Sequence, residues 1–375
     1  MKNFEHELSS GPSRRQLLGG LAASLLVPSL VATSASAVED DLRFVHAYGE
    51  TVLPGPAKRV VSLGYTTQDP LLALGVAPIA VRKWFGDMPY GVWPWAQPLL
   101  GDVKPALIEG EVSIEIVASL APDLIVGIGS AISKDEYDVL SQIAPVLMHA
   151  PDKQTYGTQW DEMTRTIGRA VGKTARAEEL IAQTRKIFTD ARGRHPQWAD
   201  KTAVCGYNFG GETGAFIGTD TRQSFLNELG FKTPEKLIGM RSSGEFYGRL
   251  SPEDLSPLDA DLLIWISSFD SVPDIVALAM RKTLRVHREG REVLAGSLVA
   301  GAAAGLASAL RGMARGWLRA AISICRISSP DSCCKLSLSP SLALVNTPTA
   351  PAARASRVMA APASVRVEQM EFKFF

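Results

Sequence analysis

Cysteine is nearly missing from this chain. Four occur in 375 residues, and Cys325, Cys333 and Cys334 all fall near the C-terminus, leaving Cys205 alone in the body. That excludes a disulfide scaffold and any paired-CxxC metal site. Histidine is equally sparse: His6, His46, His149, His195 and His287 are scattered, none at ligand spacing from another His or a Cys, which disfavours direct binding of a bare metal ion. Net charge is also lacking, with 39 basic and 39 acidic residues, so no overall field draws the chain to nucleic acid or to anionic lipid. The Gly-rich stretches "GIGSAI" and "NFGGETG" do not form a dinucleotide fingerprint and read as loops at strand ends.

What is present begins with an address. "SRRQLLGG" sets Arg14 and Arg15 ahead of "LLGGLAASLLVPSLVA", and "ASA" ending at Ala37 supplies small residues for cleavage. This reads as a twin-arginine export signal over 1–37. The apolar run is short and holds Gly and Pro, so a membrane span is disfavoured. No Cys stands near the cleavage site, so the mature chain is expected to be periplasmic or extracytoplasmic and not lipid-anchored.

The length favours two domains. From 38 to 158 short apolar runs alternate with helical stretches: "RVVSLG", "APIAVR" and "DLIVGIG" read as strands and "TQDPLLALG" as a helix closed by Gly75. This pattern implies a parallel sheet with helices on its faces. Residues 159–198 read as a helical linker broken at "VGKT", with Ala177, Leu180, Ile181, Thr184, Ile187, Phe188 and Ala191 on one face. From 199 to 301 the alternation resumes with "TAVCGYNF", "TRQSFLNELG", "DLLIWIS" and "REGREVL". Cys205, inside an apolar strand with no accompanying base, reads as a buried small hydrophobe.

A repeat crosses the two halves. "VSIEIVASLAPDLIVG" and "LSPEDLSPLDADLLIW" share spacing: Ser113, Glu115 and Asp123 match Ser251, Glu253 and Asp261. Ser as N-cap and Glu in the first turn suit a helix start in each copy. Taken together, the two glutamates would stand exposed on two lobes at a separation fixed by the linker, a pair suited to two basic partners.

These stretches, with "PAKRVVSLG", "LLALGVAPIAV", "TIGRAVGKTARAEELIAQ" and "SFLNELGF", resemble the substrate-binding proteins of iron–siderophore and cobalamin ABC importers over about residues 44–301. The resemblance implies an α/β fold of two Rossmann-like lobes joined by a long α-helix, with the ligand cleft between them. It implies no enzymatic activity, no resident cofactor, a monomer, an Fe(III)-siderophore as ligand, and an ABC permease as the contact with the membrane. Glu115 and Glu253 match the residues that dock on permease arginines. Haem or a cobalamin-like corrinoid is the alternative cargo, and an exported redox enzyme the alternative class.

For the ligand, "RKWFGDMPYGVWPWAQP" offers Arg82, Lys83, Trp84, Tyr90, Trp93 and Trp95, and "EFYGRLSPEDL" brings Tyr247 with Arg241 and Arg249 at its flanks. Aromatic faces suit the apolar periphery of a chelate and basic side chains its oxygens. Similar proteins place aromatics where Tyr247 stands and near Trp93. Beyond Ala302 the family pattern stops, and 302–375 is rich in Ala, Ser and Pro with nine basic and three acidic residues, the composition expected of an altered reading frame or a disordered extension.

Overall fold

In a computed structural model, the described residues are 42–218, 220–240, 246–266 and 273–295. The export segment, Arg241 and the tail lie outside them. A hairpin of β1 (Arg43–His46) and β2 (Gly49–Val52) precedes the first lobe. Then come β3 (Val60–Ser62), α1 (Gln68–Ala73), β4 (Ala80–Arg82), β5 (Ala106–Ile108), α2 (Ile114–Ser119), β6 (Leu124–Val126), α3 (Lys134–Leu140) and β7 (Val146–Leu147). The strands are parallel in the order β5-β4-β3-β6-β7. Helices on both faces explain why β3 and β6 are buried at every residue and read as unbroken apolar runs. The order reverses between β3 and β6, and a crevice opens beyond the carboxyl ends of strands at such a switch point.

The helical linker is a hairpin of α4 (Trp160–Ala170) and α5 (Thr174–Arg194). Gly172, at φ +66°, makes the turn read as "VGKT", and Gly168 lets the helices touch: a Cβ there would lie 2.5 Å from that of Ala177. Ala177 and Leu180 of α5 belong to the first lobe's core, with Leu71, Val126 and Ile167. Phe188 and Ala191, two to three turns on, belong to the second lobe's core, with Ala203, Phe225 and Ile264. One helix, about 30 Å long at 1.5 Å per residue, is thus rooted in both cores.

The second lobe holds β8 (Ala203–Phe209), β9 (Glu212–Phe216), α6 (Thr221–Glu228), β10 (Tyr247–Leu250), β11 (Leu262–Ile266) and β12 (Glu292–Ala295), in the order β10-β9-β8-β11-β12. Here the expected repetition of the first lobe fails in one respect. β8, β11 and β12 are parallel, but β9 runs antiparallel to both its neighbours, β8 and β10. The cause is "NFGGETG", which is a hairpin and not a loop after a strand: Gly210 and Gly211, at φ +58° and +83°, reverse the chain in two residues.

The sequence repeat has a different structural basis from two helix starts. The first copy is one: Ser113 Oγ accepts from Ile116 N–H at the head of α2. The second is a turn, with Ser251 Oγ accepting from Glu253 N–H and the Asp254 carboxylate taking Ser256 N–H, before a single 3₁₀ turn at Ser256–Leu258. Pro257 lacks the N–H that would close an α-turn on Glu253. What truly repeats is the aspartate. Asp123 accepts from Lys58 and Arg59 N–H at 2.8 and 2.7 Å and returns its own N–H to Arg59 O. Asp261 accepts from Thr202 N–H at 2.9 Å and returns its N–H to Thr202 O. Each clamps the entry of the strand next to its own.

Burial opposes ionisation of Asp261, but the Thr202 amide and hydroxyl, together with Lys201 and Arg291, outweigh it and hold its carboxyl below the usual range. A depressed folded pKa stabilises the protein above the unfolded value, near 4, and this contribution fades as pH falls through the lower folded value. Asp261→Ala should cost about 1–3 kcal/mol in urea unfolding at pH 7. The gap from wild type should shrink below about pH 4. Parallel stability curves from pH 7 to 3 would contradict this account.

Candidate functional site

The residues that leave the switch point build the first half of the site. Tyr65 follows β3, held where Gly64 passes so close to Ile128 O that a Cβ would stand 2.0 Å from it. Arg82 ends β4. Its Nε and Nη2 donate to Gly110 O and its Nη1 to Ser130 O at 2.8 Å, while its guanidinium lies 5.0 Å from the Tyr65 ring centre. Trp84 stacks on Tyr65 at 5.9 Å and meets Phe85 edge to face at 4.4 Å. Lys83 Nζ bonds Glu109 and Asp87, both at 3.0 Å, and these bonds raise its pKa.

Phe85 crosses to the other lobe, where it packs against the core that includes Phe216 and Ile266 and is flanked by Tyr207, Phe246 and Tyr247. A second bridge forms at Tyr156, in the loop before α4, which meets Phe246 at 5.1 Å. Burial lifts the Tyr156 phenol pKa, with Tyr65 adding to this and Arg82 opposing. Phe246 continues to Tyr247 at 5.0 Å and Tyr247 to Tyr207 at 6.0 Å. A run of rings contributed by both lobes therefore meets across the junction between them.

On the second lobe Tyr207, Glu212, Tyr247 and Arg249 meet across three adjacent strands. Tyr207 Oη donates to Glu212 Oε1 at 2.8 Å, Arg249 Nε pairs with Glu212 Oε2 at 3.0 Å, and Arg249 Nη2 donates to Tyr247 Oη at 3.4 Å. Burial, then the Glu212 bond, pushes the Tyr207 phenol pKa upward, which keeps it a proton donor. Its ring lies across Gly214, where a Cβ would come within 2.5 Å of the phenol.

The sequence-based candidates thus divide. Arg82, Trp84 and Tyr247 join the ring-lined surface, and Arg249 borders it. Trp93 does not: only 2 % exposed, it has no face for a ligand and instead backs Phe85 at 5.1 Å while stacking on Trp95 at 5.2 Å. Trp95 is fixed by an indole N–H bond to Asp69. Tyr90, at φ +58°, lines a separate shallow depression with Gln97, Asp102 and Lys104. Arg241 lies outside the described residues. Tyr65, Phe85, Tyr156, Tyr207 and Phe246 belong to the ring-lined surface and were not named as candidates, although Phe85 and Phe246 lie within the two quoted stretches and Tyr65 had a local signal, an aromatic directly after a strand and its Gly.

Glu115 and Glu253 are both exposed. Glu115 accepts from Ser113 Oγ at 3.1 Å, and a backbone N–H together with that hydroxyl holds its carboxyl below the usual range. Cys205 is buried, its thiol driven up in pKa by burial, in keeping with a packing role. Among the described residues no group of three or more His, Cys, Asp or Glu is placed to hold a metal ion.

A family model described as "Periplasmic binding protein" matches residues 60–287. Among curated relatives, the probable siderophore-binding lipoprotein YfiY of Bacillus subtilis is 30% identical over 231 residues, covering 59% of this chain and 67% of the relative. The Fe(3+)-citrate-binding protein YfmC of the same organism is 27% identical over 238 residues, covering 61% and 70%. Among solved structures, a periplasmic solute binding protein from Mycobacterium smegmatis is 33% identical with a TM-score of 0.64, covering 76% of this chain and 98% of that one. Streptococcus pneumoniae PiaA, solved with ferrichrome, shares the fold at 21% identity and a TM-score of 0.67, covering 77% and 100%. Two α/β lobes rooted on one long helix, and a family match over more than half its length, make this chain a member of the periplasmic binding protein family.

Proposed function

We propose that this chain is an extracytoplasmic solute-binding protein that captures a ferric siderophore between its lobes and delivers it to an ABC importer, with no chemistry of its own. The observation that carries this reading is the run of rings from Tyr65 and Trp84 to Phe246 and Tyr247, drawn from both lobes. Such a surface suits a bulky complex whose charged metal is wrapped inside an apolar periphery. The names of the relatives YfiY and YfmC support the same cargo class. Rigid rooting of α5 in both cores favours small lobe movements over a wide hinge. YfiY is named a lipoprotein, whereas this chain has no Cys before Cys205, so release into the extracytoplasmic space by twin-arginine export without a lipid tether is part of the proposal.

Titration of intrinsic tryptophan fluorescence tests it directly, because Trp84 sits on the ring-lined surface with Trp93 behind it. Ferric siderophores are expected to give saturable quenching, and haem and cobalamin none. Saturation by haem or cobalamin alone reassigns the cargo, and silence from the whole panel removes the proposal.

A further inference from the structure

Resting on that reading, we infer that Glu212 sets the charge preference of the cleft and makes this protein a binder of electroneutral ferric complexes, of the trihydroxamate kind, in preference to multiply anionic ones. Three hydroxamates cancel the charge of Fe(III), whereas three catecholates leave three negative charges over.

The geometry is a built device on three neighbouring strands. Tyr207 of β8 donates to one oxygen of Glu212, at the start of β9, and Arg249 of β10 pairs with the other. Gly214 leaves the room that lets the phenol lie across β9 toward the carboxylate. Arg249, the basic side chain this lobe offers beside Tyr247 among the described residues, is therefore already answered by a carboxylate held at both oxygens. On the first lobe Lys83 is likewise bound by two carboxylates, Glu109 and Asp87, while Arg82 keeps its charge but has Nε, Nη1 and Nη2 committed to backbone carbonyls.

An anionic complex entering here meets Glu212 at close range and finds cations whose partners it must displace. A neutral complex meets rings and phenol hydroxyls and displaces nothing. Because the Glu212–Arg249 pair is partly exposed, the discrimination is sensitive to salt.

The test uses the full chain and fluorescence titration with ferrichrome as the neutral probe and ferric tris-catecholate and ferric citrate as anionic ones. Wild type is expected to favour ferrichrome by about tenfold or more at low ionic strength. Glu212→Gln keeps the shape and one acceptor but uncovers Arg249, and should narrow that gap by about tenfold, through tighter anion binding, with the gain fading in high salt. Arg249→Gln should widen it. Tighter binding of the anionic probes by wild type, or an unchanged ferrichrome-to-anion affinity gap in Glu212→Gln, overturns the charge assignment while leaving the proposed cargo class standing. Binding of no ferric complex by wild type overturns both.

Discussion

Alanine at both Glu115 and Glu253 is expected to abolish importer-dependent uptake while leaving ferric-complex affinity unchanged. Both carboxylates are exposed; that of Glu115 accepts from Ser113 Oγ, and the backbone N–H of Glu253 donates to Ser251 Oγ. Each is presented by backbone that runs into an aspartate clamp, Asp123 in one lobe and Asp261 in the other, and the lobes are tied through α5. Their separation is therefore set by the scaffold and not by a flexible loop, as a pair docking on two fixed cations requires. In a formed docking interface both carboxylates would be covered by their cationic partners, so losing both should weaken productive docking on the order of a thousandfold or more. Each single variant should retain measurable transport. Radiolabelled uptake into vesicles carrying the cognate permease, beside fluorescence titration of the same variants, separates docking from capture. Normal uptake by the double variant would sink the docking assignment, and lost affinity would move the glutamates into the ligand site.

The sequence revealed those elements whose physics is local. β3, β4, β6, β8 and β11 are short apolar runs bounded by Gly or polar residues, and α5 shows its buried face at helical spacing. Gly75 and Gly230, both at positive φ, close α1 and α6 where the pattern ends. What escaped depends on partners distant in sequence or on one overlooked turn. The Gly210–Gly211 pair was the available sign of the β8–β9 hairpin, and missing it hid the antiparallel edge that carries Glu212 and Arg249. Pro257 decided that the second Ser-x-Glu is a turn although the spacing matched a helix start. Composition located the aromatic segment at 84–95, but which ring faces inward is set by contacts such as Trp95 with Asp69, which spacing cannot convey. The half of the site made by Tyr156 and Phe246 exists only because two loops, ninety residues apart in sequence, meet across the lobes.

The burial of Trp93 carries the largest stability prediction. At 2 % exposure, its indole stacks on Trp95 with the ring planes 3° apart, meets Phe85 at 5.1 Å, and lies against Gly86, where a Cβ would be 3.6 Å from the ring. Truncating a buried Trp to Ala removes its transfer free energy and leaves a cavity, a cost of about 3–5 kcal/mol. In a chain of this size that corresponds to a fall in melting temperature of roughly 10 °C. Trp93→Phe, which keeps a ring in the stack, should recover more than half of the loss. The functional effect follows from position: Phe85 loses the ring behind it, so the wall it forms against the second lobe loosens and ferric-complex affinity falls although no ligand touches residue 93. Thermal unfolding and fluorescence titration of both variants test this. A Trp93→Ala protein that melts within about 2 °C of wild type yet loses all affinity would return Trp93 to the ligand surface, because a buried support must weaken the fold before it weakens the site.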